Sequence, residues 1–215
     1  MKNKLERYTY NKNSRYVVEK GKEIFKSTKG KWHQIFGNKN RIVLELACGN
    51  GEYTVHESLK NKNKNYIGID IKGSRIWKGA NSLEKENSGN AIFLRIAIEN
   101  ILDFFEKDEV SEIMIIFPDP RHKKRDEKKR LSNINFLKKY YKILRSKGKL
   151  KFKTDDTQLF KYSLNEIKLS KFKNLKKTDN LYNCIGFNEI KNVQTKYEKK
   201  FLKEGRVIKY FEVSK

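Results

Sequence analysis

The sequence predicts an α/β fold: a mostly parallel sheet with helices on both faces. Three observations carry this: short apolar runs without alternation, glycine or proline at the ends of those runs, and helical spacing between them. Ile42-Val43-Leu44-Glu45-Leu46 is the first run, closed by Gly49 and Gly51, and a helix is expected from Tyr53 to Lys60. Tyr66-Ile67-Gly68-Ile69-Asp70 is the second, followed by helical spacing from Ser74 to Glu86. Ala91 to Ile96 and Ile113 to Phe117 are the third and fourth, separated by a helical patch at Ile101 to Phe105; the fourth stops at Pro118. Phe136 to Leu144 reads as a helix, Gly148 punctuates it, and Leu150-Lys151-Phe152-Lys153 alternates as a strand. Tyr182 to Phe187 and Val207 to Phe211 are the remaining strand candidates. Residues 1–40, basic and weakly patterned with a turn at Lys29-Gly30-Lys31-Trp32, are read as an arm carrying one helix, and residues 41–215 as one domain.

The chain of 215 residues, 37% of them hydrophobic, has enough apolar side chains for one sizeable core but hardly for two full domains. Fifty Lys and Arg against 26 Asp and Glu give a net charge of +24, which calls for a polyanionic partner, although a lysine- and asparagine-rich source composition produces part of the same surplus. Cys48 and Cys184 are the only cysteines and have no metal-ligand or redox spacing, so a disulfide framework and a zinc site are not expected, and a reducing cytoplasm fits. No stretch approaches the roughly 20 apolar residues of a membrane span, and the N-terminal residues lack an apolar signal core, so neither membrane insertion nor secretion is expected. Monomer and homodimer are equally compatible with the sequence.

Glu45-Leu46-Ala47-Cys48-Gly49-Asn50-Gly51 places two glycines between a strand and a helix, where the backbone can turn tightly and approach a ligand. The dinucleotide pattern G-x-G-x-x-G is missing, and so is a loop ending in Gly-Lys-Ser/Thr, which disfavours a pyrophosphate seat. Asp70 ends the next strand about 20 residues on, where a carboxylate can take both hydroxyls of a ribose. Glu45 beside the loop suits an ammonium better than a phosphate; an ion-paired or helix-capping role is the competing reading. This order of elements resembles the S-adenosyl-L-methionine-dependent methyltransferases of the Rossmann-like class. The resemblance implies that Glu45, Gly49 and Gly51 cradle the methionine part, Asp70 holds the ribose, and Ala97 with Ile98 brackets the adenine.

Phe117-Pro118-Asp119-Pro120-Arg121-His122-Lys123-Lys124-Arg125 clasps a carboxylate between two prolines and then runs into dense positive charge as far as Arg130. The segment resembles the signature of the tRNA (guanine-N7-)-methyltransferase family, Pro-Asp-Pro-Trp, one residue, Lys-Lys-Arg-His, one residue, Lys-Arg-Arg-Leu. Phe152-Lys153-Thr154-Asp155 resembles that family's Thr-Asp strand end, and Thr195-Lys196-Tyr197-Glu198, with Phe201 and Gly205, its Thr-x-aromatic-Glu motif. Arg121 and Asp126 replace the family's tryptophan and histidine, and Ala47 and Ala97 also depart from its pattern. The resemblance implies methyl transfer to N7 of a tRNA guanine, at position 46 of the variable loop. It assigns catalysis to Asp119 and Asp155, with Asp119 also meeting the cofactor, and substrate contact to Lys123, Arg125, Asp155 and Thr195 to Glu198.

Guanine N7 carries an in-plane lone pair, so this chemistry needs alignment more than a base; carboxylates can stabilise the charge that moves onto the ring. A carboxylate can also accept from guanine N1 and N2, a donor edge adenine lacks. His122 reads as a solvated neighbour. The alternative reading is a non-catalytic RNA-binding protein on a methyltransferase fold, supported only by Ala47 and Ala97; the basic motif argues against a methyltransferase of small molecules or proteins.

Overall fold

The apolar runs form the middle of an eight-stranded sheet. The computed structural model describes residues 3–215. In chain order its elements are α1 (Lys4–Asn13), β1 (Val17–Val18), α2 (Trp32–Phe36), β2 (Arg41–Leu46), α3 (Glu52–Lys60), β3 (Lys64–Asp70), α4 (Gly73–Lys85), β4 (Ala91–Arg95), β5 (Val110–Ile116), α5 (Ile134–Ile143), β6 (Leu144–Thr154), α6 (Thr157–Lys168), β7 (Lys173–Thr178), α7 (Asn188–Lys191), α8 (Lys196–Lys203) and β8 (Lys209–Ser214). The strand order is β1-β4-β3-β2-β5-β6-β8-β7. Strands β1 to β6 pair in parallel, and β8 runs antiparallel to both β6 and β7. Successive parallel strands step one way from β2 to β4 and the other way from β5, so the carboxyl ends of β2 and β5 open the crevice where such sheets bind ligands.

Burial on both faces explains why these strands read as apolar runs rather than alternating ones. Ile42, Leu44 and Leu46 of β2 pack with Phe136, Leu137 and Tyr140 of α5 and Leu159 and Phe160 of α6, while Val43 faces Ile76, Ala80 and Leu83 of α4. On that second side the Phe93 ring occupies a cradle of three glycines: a Cβ on Gly51, Gly68 or Gly79 would fall within 2.3–2.6 Å of its carbons. Helix propensity alone favours alanine at Gly79 by about 1 kcal/mol, but overpacking costs about 1–3 kcal/mol, and the added methyl would also press on the Asn50 carbonyl at 3.0 Å. Gly79→Ala is therefore expected to lower the denaturant midpoint; a midpoint that rises would show that the ring moves aside freely.

Three sequence expectations differ from the structure. Residues 1–40 are not a peripheral arm in their packing from residue 3 onward. Strand β1 adds to β4, Asn11 donates to the Gly73 carbonyl (2.8 Å), and the Trp32 indole is fully buried, stacked on Phe105 and donating to the Phe104 carbonyl (2.9 Å). Tyr182 to Phe187 is no strand: Gly186 and Phe187 have φ of +96° and +55°, which no extended segment adopts, and Ile185 points fully into solvent. The strand lies earlier, at β7, whose lysines guard an exposed sheet edge. Helix α6 was not expected; Asp156 caps it by accepting from the Leu159 N–H at 2.6 Å.

Candidate active site

Two adjoining cavities open at the carboxyl ends of β2, β3, β5 and β6, with volumes of about 550 and 200 Å3, and Ala47 and Asp119 form part of the wall of both. Between β2 and α3 the chain turns sharply, with Ala47, Gly49 and Gly51 at φ of +55°, +57° and +71°. Gly49 faces open space beyond its Cα, whereas Gly51 is turned inward against Phe93 and lines neither cavity. Asp70 holds the loop from β3: one carboxylate oxygen accepts from the Gly49 N–H (2.9 Å), the other from the Lys72 N–H (2.8 Å).

Glu45 lies under the loop, 6% exposed, with Oε2 accepting from both the N–H and the hydroxyl of Thr54 (2.9 and 2.5 Å). Burial pushes its carboxyl up to about 7; the Thr54 hydrogen bonds oppose this, and the nearby Asp70 and Glu52 charges add to it. The Cys48 thiol is also buried and raised, which makes it a poor nucleophile.

The second wall is the loop after β5. Phe117 (φ +48°) donates its N–H to the Lys153 carbonyl (2.8 Å), and Arg121 (φ +47°) donates its N–H to Asp119 Oδ1 (3.2 Å). Non-glycine residues in this region are strained and persist only where the surroundings hold them. Arg130 supplies such a hold: 5% exposed and stacked on Tyr162 (4.3 Å), it donates twice to the Arg121 carbonyl (3.3 and 3.2 Å). The basic run thus divides into a structural clamp, Arg130, and the exposed side chains of Lys123, Lys124 and Arg125.

The large cavity brings together Glu45, Gly49, Asp119, Asp155, Thr195 and Tyr197; the small one brings together Asp70, Ala97, Ile98 and Asp119. Lys123 and Arg125 lie outside both linings, and Lys196 is exposed, its backbone N–H donating to Glu52 at 2.7 Å. Glu198 is not in the cavity wall. It is fully buried against Lys153 (2.5 Å) and accepts from the Tyr182 hydroxyl (2.7 Å), because α8 packs its Glu198 side on the sheet and turns Tyr197 outward. Arg206 and Asp156 line the cavity although the sequence reading did not select them, and so does His122, half exposed and held by Asp156 (3.1 Å) and Gln158 (3.0 Å).

A family model described as "Putative methyltransferase" matches residues 39–211. The chain is 38% identical to the tRNA (guanine-N(7)-)-methyltransferase of Cytophaga hutchinsonii over 96% of its own length and 95% of the relative's. It is 40% identical to the enzyme of the same name from Christiangramia forsetii, over 97% and 96% of the two chains. Among solved structures, the 16S rRNA methyltransferase KamB superposes with a TM-score of 0.67 at 13% identity, over 94% of this chain and 98% of that one, a likeness of fold. By the extent of these matches the chain belongs to the tRNA (guanine-N7-)-methyltransferase family.

Proposed function

We propose that this chain transfers the methyl group of S-adenosyl-L-methionine to N7 of a guanine in tRNA, with position 46 of the variable loop as the target and the cytoplasm as the compartment. The observation that carries this reading is Asp119: it stands where the two cavities meet, one built as an adenosine seat and the other open to a base. The donor set fits the cofactor. Asp70 beside the smaller cavity offers two carboxylate oxygens to a ribose, buried Glu45 beside the loop suits an ammonium, and backbone at Ala97 with the Ile98 side chain brackets an adenine. When bound, the cofactor supplies an electrophilic methyl group on a sulfonium.

The chain's own residues would then align the base and stabilise charge. Asp119 and Asp155 face the larger cavity, where carboxylates offset the positive charge that develops on the imidazole part of guanine. Asp155 would accept from the N1–N2 edge. Exposed Lys123, Lys124 and Arg125 would hold phosphates, adding affinity without base identity, in keeping with a chain of net charge +24. Thr195 and Tyr197 form the far wall.

Incubation of unmodified tRNA with the protein and cofactor, followed by nucleoside analysis, is expected to yield 7-methylguanosine. Tight tRNA binding without the product would turn the reading to a non-catalytic RNA-binding protein.

The raised Glu45 carboxyl gives a second test. The folded chain keeps a proton on Glu45 below about pH 7, whereas an α-amino group stays charged to about 7.7–8.0, so pairing grows as pH rises through 7. The calorimetric dissociation constant for the cofactor is expected to tighten several-fold from about pH 6 to pH 7.5, and Glu45→Gln to abolish that dependence. A slope retained by Glu45→Gln would assign the titration to another group.

A further inference from the structure

Helix α8 ends at Gly205, whose φ of +71° closes a glycine-terminated turn: the Gly205 N–H reaches the Leu202 carbonyl (3.0 Å) and the Arg206 N–H the Phe201 carbonyl (2.9 Å). Such a turn brings the residue after the glycine back over the one five before it. Here the contact is a guanidinium on a ring, with Arg206 Cζ 4.7 Å from the Phe201 centroid. Two carboxylates hold the rest of the group in place: Nη1 donates to Asp155 Oδ2 and Nε forms an ion pair with Glu204 Oε2, each at 2.9 Å. Phe201 is itself braced, edge-on to Phe117 at 5.6 Å, and Phe117 leads into the loop that carries Asp119.

Stability does not account for this arrangement. The Arg206 side chain is 51% exposed, and ion pairs so open to water contribute little to stability. Position accounts for it better. Arg206, Phe201 and Asp155 line the larger cavity together, and a guanidinium held flat is a surface on which nucleobases stack. Of the described residues, only Arg206 bonds the Asp155 carboxylate, and it takes one oxygen, so Oδ1 remains to accept from a base edge.

We infer that Arg206 is a positioning residue of the substrate half: its guanidinium, laid on Phe201, is the platform on which the target guanine stacks, while the same group fixes the Asp155 carboxylate beside the base. This rests on the function proposed above. It differs from a phosphate contact in what it asks of the side chain, since a phosphate needs only the charge and a platform needs the plane.

The test compares Arg206→Lys and Arg206→Ala with the wild-type chain in steady-state tRNA methylation at saturating cofactor, with cofactor affinity by calorimetry and thermal unfolding alongside. Both variants are expected to lower kcat about tenfold or more, the scale of one lost base stack, with cofactor affinity and unfolding temperature unchanged. Wild-type turnover in Arg206→Lys would reduce Arg206 to a point charge and overturn the platform. So would a rise in KM at constant kcat, which describes remote docking, or a parallel loss of cofactor affinity, which describes a contact to the cofactor rather than to the base. A wild-type chain that forms no 7-methylguanosine would remove the functional reading and this inference with it; wild-type turnover matched by Arg206→Ala would remove the inference alone.

Discussion

Asp119→Asn and Asp155→Asn are each expected to lower methylation of tRNA about a hundredfold or more, and to differ in what they do to the cofactor. The size follows from removing one preorganised group aimed at developing charge, which costs about two to three decades in turnover. The difference follows from placement. Asp119 lies in the wall of both cavities, so its amide variant is expected to weaken cofactor binding as well. Asp155 follows β6, lines no part of the smaller cavity that holds Asp70, Ala97 and Ile98, and gives one oxygen to Arg206 at 2.9 Å, so its amide variant should leave the cofactor dissociation constant alone. The asparagine substitution keeps size and turns an acceptor into a donor toward the base edge. Calorimetry of cofactor binding beside single-turnover methylation separates the two; if Asp155→Asn turned over at the wild-type rate, its guanine-reading role would be wrong.

Legibility in the sequence followed burial. β2, β3 and β5 are covered on both faces, so Ile42 to Leu46, Tyr66 to Asp70 and Ile113 to Ile116 appear as largely apolar runs, and the acidic groups Glu45, Asp70 and Asp119 sit at or just beyond their carboxyl ends. Strand β7 has no such mark: all but its last residue is exposed, and only pairing with β8 makes it a strand, a fact of tertiary structure that no local pattern records. The opposite error at Tyr182 to Phe187 came from its apolar and aromatic residues, among which Gly186 and Phe187 take positive φ and turn the chain. Helix α6 was findable, since Asp156 three residues before Leu159 is an N-cap signal ahead of an amphipathic stretch.

Within the site, Gly51 turns inward against Phe93 although Gly49 of the same loop lines the larger cavity, whereas positions on strand ends were legible, because their place in the chain sets their place in the crevice. Positions on α8 were not, since a helix turns adjacent residues to different sides: Tyr197 faces the cavity and Glu198 the core. Arg206 was hidden for a similar reason. The glycine before it was visible, but only the folded turn shows that it delivers the guanidinium to Phe201 and Asp155.

The side chain that was misplaced by this rule carries the largest expected effect on stability. Glu198 and Lys153 are both fully buried, 2.5 Å apart, and Lys153 also donates to the carbonyls of Ile190 (3.1 Å) and Val193 (3.4 Å). Burial lowers the Lys153 ammonium and raises the Glu198 carboxyl, each toward its neutral form. Removing one partner leaves the other charged and dry, at a cost of about 3–5 kcal/mol, whereas replacing both by apolar groups of similar volume is close to neutral. Lys153→Met is therefore expected to lower the unfolding temperature by about 10 °C in a chain of this length, and Lys153→Met with Glu198→Leu to recover most of it. The pH dependence has a definite sign. A carboxyl whose folded pKa is raised stabilises the fold below its unfolded value and loses that contribution as pH rises, so the Lys153→Met deficit should be smallest near pH 4–5 and grow toward neutrality. Calorimetric unfolding across that range checks both. A double variant no more stable than Lys153→Met would show that an unpaired Glu198 charge is not what the single variant loses.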